Sequence, residues 1–427
     1  MLLEDEDRQT GFDFAVFFTA LALWVIGLAL VYSATHIHTS GPLAGAFRSQ
    51  VMWVAMGVVL VLLVVSVPTR YYYMFSYAVY GLACLGLIAA LAGGVVSKGA
   101  SRWIAIAGFR VQPSEFAKIG LLLALARYLA DRTVSLQRIV SLVVPCLLVL
   151  VPFGLVLKQP DLGTAMVFAT MALPILYWAG LTLVDIFYVV SPVVSLVLSA
   201  IPLVHSFVQH GTAGFAYALP WGIFFIALCV TLYLYRSSGL MWTMVVGANL
   251  FTATITTVLW SSFLRDYQKA RIITFINPQS DPTGAGYQVI QSTVAIGSGH
   301  LVGKGWLQGT QTRLSFLPEQ HTDFIFSTLG EQFGLAGCAL VLLLFLFLIV
   351  KGFLNTQAVP NRFANLVVVG AVSILAFHIF INIAMTLGMM PVAGVPLPFL
   401  SYGGSFTVTV AILVGFIINA RVGGRDF

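Results

Sequence analysis

The chain has 427 residues, 59% hydrophobic and 8% charged, with a mean hydropathy of +0.97, a balance that no soluble domain with a polar surface carries. Its net charge is +6 and its pI near 9.2, but the basic residues are scattered over many loops, which excludes a concentrated nucleic-acid-binding patch. The bilayer is the expected solvent, and membrane lipids are the first expected partner.

A membrane span needs about 20 mostly apolar residues. Twelve segments qualify, near 12–33, 50–67, 73–95, 113–130, 139–157, 163–180, 184–206, 219–235, 240–262, 324–351, 364–388 and 403–420. The expected fold is an all-α integral membrane protein, a polytopic bundle forming a single membrane domain over 1–427. Residues 1–11 form an acidic tail. It reads Leu2-Leu3-Glu4-Asp5-Glu6-Asp7 where a removable signal would carry basic residues, so the first helix is expected to be retained. Cys84, Cys146, Cys229 and Cys338 all fall inside proposed spans and are expected to pack rather than to form disulfides or ligate metal.

An even number of spans puts both termini on one side. With the N-terminus inside, the inner set is Arg8, Arg70, Arg127, Arg132, Arg138, Arg236, Lys351, Arg362, Arg421 and Arg425. An equally large outer set includes Arg265, Lys269, Arg271, Lys304 and Arg313, which lie in a long loop where the positive-inside rule weakens. Without them Arg48, Lys98, Arg102, Arg110 and Lys158 remain outside, and cytoplasmic termini are favoured. Cations on the outer face suggest an anionic partner there, or merely solvated loop ends.

Ionisable groups within apolar spans are costly and mark function by default. Pro113 opens the fourth span at a first-turn position, and Glu115 and Lys118 then share a helix face at i,i+3. They read as a sealing ion pair, or as a polar cavity in which Lys118 reaches an anionic group near Lys98, Arg102 and Trp103. Asp161, in Gln159-Pro160-Asp161-Leu162-Gly163-Thr164, reads as the N-cap of the sixth span.

The segment 263–322 is too long for an idle connection. Tyr267, Phe275, Tyr287, Trp306, Leu307, Phe316 and Leu317 along it predict an ordered loop anchored on lipid or protein. Its run Gly297-Ser298-Gly299-His300-Leu301-Val302-Gly303-Lys304-Gly305 fails as a phosphate loop, because the spacing is one residue too long and Gly305 stands where a hydroxyl would hold magnesium. No nucleotide or organic cofactor is expected, and the glycines read as a flexible turn. The loop ends Pro318-Glu319-Gln320-His321-Thr322-Asp323-Phe324, and an extended strand would put Glu319, His321 and Asp323 on one face. As a metal site that pattern is weak. Asp323, where polar loop meets apolar helix, is better placed as a general acid or base, or as the cap of the tenth span.

At these residues the chain resembles the SEDS family of cell-wall proteins (shape, elongation, division, sporulation). The similarity runs through Ser97-Lys98-Gly99-Ala100-Ser101-Arg102-Trp103, Gln112-Pro113-Ser114-Glu115, Gln159 to Thr164, Asp281-Pro282-Thr283-Gly284-Ala285-Gly286-Tyr287, Gly303-Lys304-Gly305-Trp306-Leu307-Gln308-Gly309-Thr310, Pro318 to Phe326, and Pro396-Leu397-Pro398-Phe399-Leu400-Ser401-Tyr402-Gly403-Gly404. The Gly-Lys-Gly-Trp-Leu run favours its rod-shape elongation branch over its division branch. The resemblance implies a peptidoglycan glycosyltransferase of the bacterial inner membrane that polymerises lipid II onto a growing glycan strand. It implies a class B penicillin-binding protein as transpeptidase partner. It also implies an essential Asp323, a functional Trp103, and a central cavity lined by Glu115 and Lys118. Family members usually have ten spans, and two additional ones are expected here within 205–262.

Sugar transfer from a lipid diphosphate needs a base at the acceptor hydroxyl and positive charge at the departing diphosphate. Asp323 suits the first. Lys98, Arg102, Lys118 and Lys304 are candidates for the second, with Glu319 and His321 as further substrate contacts and a divalent cation, magnesium or manganese, as the cofactor the resemblance allows. A flippase for the same lipid would also suit twelve spans and the prolines at 391, 396 and 398, but no internal repeat is visible and the most elaborate polar element is a loop rather than a midplane site. A scaffold that merely activates its partner would leave the loop's charges unexplained.

Overall fold

The computed structural model describes residues 11–36, 45–97, 100–106, 109–131, 139–209, 214–263, 266–277, 284–314, 316–357 and 359–423. Helices α1 (Phe14–Thr35), α2 (Ala46–Ser66) and α3 (Thr69–Gly93) lead into strands β1 (Val95–Ser97), β2 (Ala100–Ile106) and β3 (Phe109–Val111). Then follow α4 (Pro113–Ala130), α5 (Ile139–Lys158), α6 (Leu162–Trp178), α7 (Leu183–Gln209), α8 (Leu219–Leu234) and α9 (Gly239–Val258). Three shorter helices, α10 (Asp266–Ile276), α11 (Ala285–Ser298) and α12 (Thr310–Arg313), precede α13 (Ile325–Gln357), α14 (Arg362–Thr386) and α15 (Gly404–Gly423).

Each of the twelve predicted spans is a helix. Ten are long and apolar enough to cross a membrane; the other two are α4, which carries Glu115, Lys118 and Arg127, and the shorter α6. Their ends follow local chemistry. The Asp13 carboxylate accepts the Val16 N–H at 3.1 Å to start α1, and Asn361 accepts the Phe363 N–H at 2.9 Å to start α14. At the end of α2, Asn419 of α15 donates to the carbonyls of Val64, Val65 and Val67 at 3.1, 3.0 and 2.8 Å, meeting acceptors the helix leaves open. Helices α14 and α15 are buried over most of their length, and α14 packs against α4, α6, α13 and α15.

Among the described residues the departure from an all-helical chain is a three-stranded antiparallel meander, with Val95 opposite Trp103 and Ile104 opposite Val111. The chain falls into two compact units. One comprises Met1–Gly180 with Gln288–Phe427, the other Leu181–Tyr287. The second has its own polar seam: Asn249 donates to Ser191 at 2.8 Å, Ser199 and Thr256 share a bond of 2.8 Å, and the Trp221 indole donates to Ser195 at 2.7 Å. The two spans expected as additions, α8 and α9, both lie in it.

The segment 263–322 is ordered through α10, α11 and α12 over its described part, as its aromatic residues predict. Its glycine run, however, is not a flexible turn. Helix α13, predicted as one continuous span, breaks at Gly334, whose φ of 62° and ψ of −159° are non-helical. The run supplies the partners that the break exposes. Lys304 and Gly305 donate N–H bonds to the carbonyls of Glu331 and Gln332 at 3.0 Å, while the N–H groups of Leu335 and Ala336 donate to His300 and Leu301 at 2.9 and 3.0 Å. Gly303 makes this approach possible: its φ is +82°, and a Cβ there would overlap the Gln332 carbonyl.

Candidate functional site

The block 318–324 is a succession of turns rather than an extended strand, with Glu319 at a φ of +55°. Glu319, His321 and Asp323 therefore do not alternate along one face. The Glu319 carboxylate accepts the Thr322 hydroxyl at 3.2 Å, closing the turn on itself. The His321 ring stands 5.7 Å from that of Tyr402, and its carbonyl accepts the Tyr402 N–H at 2.9 Å. Ser401 donates to the Thr322 carbonyl at 2.6 Å. The turn is thus fastened to the Pro396–Gly404 block, and the two similarity blocks form one structure.

Asp323 is partly buried, two residues ahead of α13. Its carboxylate Oδ2 lies near the backbone of Gly394, 3.7 Å from where a Cβ of that residue would stand. Its carbonyl accepts a 2.8 Å bond from the amide of Asn382, which donates a second 2.8 Å bond to the Val395 carbonyl. The segment 393–395 in turn rests on the start of α6, where a Cβ on Gly163 would overlap the Ala393 carbonyl.

That start of α6 is where Arg102 arrives. Its guanidinium lies 3.5 Å from the Asp161 carboxylate and donates to the carbonyls of Gln159, at 3.0 Å, and Pro160. Asp161 caps α6 as predicted, accepting the Thr164 N–H at 3.2 Å. Trp103, the next residue of β2, is partly buried. Arg102, Asp161, segment 393–395, Asn382 and Asp323 are therefore joined by a continuous set of contacts.

Pro113 opens α4, and Glu115 and Lys118 form the predicted i,i+3 ion pair at 2.8 Å, both side chains almost wholly buried. Lys118 also meets Nε2 of His378 on α14 at 3.1 Å and lies 5.5 Å from the centre of the Phe406 ring. Nδ1 of His378 faces the Ile374 carbonyl at 2.8 Å, and a carbonyl can only accept. That assigns the proton to Nδ1 and leaves Nε2 to accept from the ammonium. His378 and Asn382 are i,i+4 neighbours, about 6 Å apart along α14. One face of this helix therefore carries contacts to both Lys118 and the Asp323 turn.

Lys304 is engaged differently. It pairs with the fully buried Glu331 at 3.0 Å and donates to Thr310 at 2.8 Å. Glu331 also accepts from the N–H groups of Gln311 and Thr312 and from both threonine hydroxyls, so it organises the 304–312 segment. Lys98 and Asp281 lie outside the described residues. Among those described, no group of three or more His, Cys, Asp or Glu side chains is arranged to hold a metal ion.

Sequence reasoning missed His378, Asn382 and Glu331. A histidine, an asparagine and a glutamate inside apolar spans were each a signal in themselves, but their partners lie far away in the chain.

The FtsW, RodA and SpoVE family of cell cycle proteins matches residues 14–215 and 220–425. The peptidoglycan glycosyltransferase MrdB of Escherichia coli K12 is 33% identical over 98% of this chain and 97% of its own length. The peptidoglycan glycosyltransferase RodA of Treponema pallidum is 35% identical over 96% and 98%. A solved structure described as the structural coordination of polymerization and crosslinking by a peptidoglycan synthase complex superposes with a TM-score of 0.67 and 28% identity, covering 97% of this chain and 98% of that one. With its apolar helices and a match over nearly its whole length, the chain is a multi-pass membrane protein that belongs to the FtsW, RodA and SpoVE family, the SEDS family.

Proposed function

We propose that this peptidoglycan glycosyltransferase polymerises lipid II, with Asp323 as the general base of a single inverting displacement. The acceptor sugar hydroxyl gives its proton to the Asp323 carboxylate as its oxygen bonds to the donor's anomeric carbon. The bond from that carbon to the undecaprenyl diphosphate breaks, and the electron pair leaves with the diphosphate. Enzyme class rests on full-length relatives that carry that name. The observation that carries the role of Asp323 is its backbone anchorage: a partly buried carboxylate just ahead of α13, on a turn fixed to α14 and the 391–403 segment.

Arg102 is the favoured cation for the leaving group among the described candidates: its side chain is 31% exposed, and its guanidinium, held by the α6 turn, lies 3.5 Å from its carboxylate partner Asp161. Lys118 and Lys304 are less exposed and pair more closely with their buried carboxylates, at 2.8 and 3.0 Å. They act by holding α4 and the 304–312 segment in place. Both termini are cytoplasmic in this reading and the Asp323 turn is extracytoplasmic, as the loop charges suggest. Cell elongation is the setting, and a class B penicillin-binding protein supplies crosslinking, in keeping with the coordination of polymerization and crosslinking in the solved peptidoglycan synthase complex. Polymerisation of purified lipid II by the purified protein with its partner, wild type against Asp323→Ala, tests the reading.

A further inference from the structure

Asn382 is wholly buried on α14 and ties the Asp323 carbonyl to the Val395 carbonyl, with two bonds of 2.8 Å. Both neighbours are acceptors, so only the NH2 group of the amide can face them, and its orientation is fixed by chemistry. The remaining Oδ1 is buried without a hydrogen-bond partner. An unmet buried acceptor is costly and is rarely retained without a compensating role. What the amide secures here is the relative position of two backbones: the turn that carries Asp323, and the segment whose Gly394 faces the Asp323 carboxylate.

We propose that Asn382 is the positioning residue of the reaction, holding Asp323 at the distance from segment 393–395 at which its carboxylate meets the acceptor hydroxyl. The proposal rests on Asp323 being the base. Asn382 touches no reacting atom; it acts through the Asp323 backbone. A displacement of about 1 Å at a reacting group costs about a hundredfold in rate, so loss of this tether should appear in turnover rather than in substrate capture. Segment 393–395 remains supported by Gly163 when the tether is lost, which confines the effect to the Asp323 side.

The test uses the full chain with its transpeptidase partner and purified lipid II. Asn382→Ala and Asn382→Ser are compared with wild type, with Asp323→Ala, and with Ser373→Ala, a buried polar change on the same helix whose hydroxyl bonds only within α14. For Asn382→Ala, kcat per folded enzyme should fall at least tenfold with KM for lipid II within twofold. Asn382→Ser keeps one donor and should be intermediate; it gives the reading should the alanine variant not fold. Ser373→Ala should leave kcat unchanged. If kcat for the folded Asn382 variants stays within twofold of wild type, or falls no further than that of Ser373→Ala, the positioning role is wrong. Full activity in Asp323→Ala would instead overturn the base assignment, a separate failure read in the same assay.

Discussion

Lys118 and His378, 260 residues apart in the chain, meet at 3.1 Å between α4 and α14, with Glu115 completing the cluster. A lysine ammonium this deeply buried is stable only because a carboxylate and a neutral imidazole both face it. Lys118→Met should leave the Glu115 carboxylate without its cation and cost about 3–5 kcal/mol. His378→Ala, which removes one acceptor and keeps the pair, should cost less, about 1–3 kcal/mol. Combining Glu115→Gln with Lys118→Met should recover much of the loss, and thermal midpoints in detergent would read the order.

Glu331 should matter more than the lysine it binds. Glu331→Ala strips the acceptor from Lys304, Thr310, Gln311 and Thr312, and is expected to cost about 3–5 kcal/mol. Lys304→Ala removes one partly exposed donor and should cost about 1–2 kcal/mol. Amide exchange across 304–312 should accelerate strongly in the first variant and weakly in the second.

Two glycines of the same run should respond with opposite sign. Gly303→Ala forces a side chain into a φ of +82° and into the Gln332 carbonyl, so it should cost about 3 kcal/mol or more. Gly297→Ala adds a methyl into open space inside α11 and should stabilise by about 0.5–1 kcal/mol. Folded yield and thermal midpoint distinguish them.

The sequence showed the helices because lipid leaves a spanning segment few other choices. It showed the Asp161 cap and the Glu115–Lys118 pair because both are local, three residues apart. The break at Gly334 was hidden, since the apolar run passes straight through it and the groups that repair it come from 30 or so residues upstream. The partners of His378 and Asn382 were hidden for the same reason: only tertiary packing brings Lys118 and Asp323 to them. The extended reading of 319–323 failed because Glu319 takes a left-handed conformation that alternation of residue types does not reveal.

Acid should loosen the end of the bundle where Asp13 sits. Burial works to raise its carboxyl, but hydrogen bonds from Asn355, the Val16 N–H and Arg421 outweigh it and hold the pKa below the ordinary 3.8. A folded-state value below the unfolded one contributes stability that is fully present above the unfolded value and is lost as pH falls through the lowered one. Asp13→Asn should therefore cost about 2 kcal/mol at neutral pH and flatten the acid side of the stability profile, as thermal midpoints measured from pH 7 down to pH 3 would show.

The most direct measurement is the rate at which the purified protein, with its transpeptidase partner, builds glycan strands from lipid II, with wild type beside folded Asp323→Ala and Asp323→Asn. Removing the base should cut kcat by about a hundredfold or more in both variants, while thermal midpoints and lipid II binding stay near wild type. Folded variants that polymerise at the wild-type rate would contradict the assignment of Asp323 as the base.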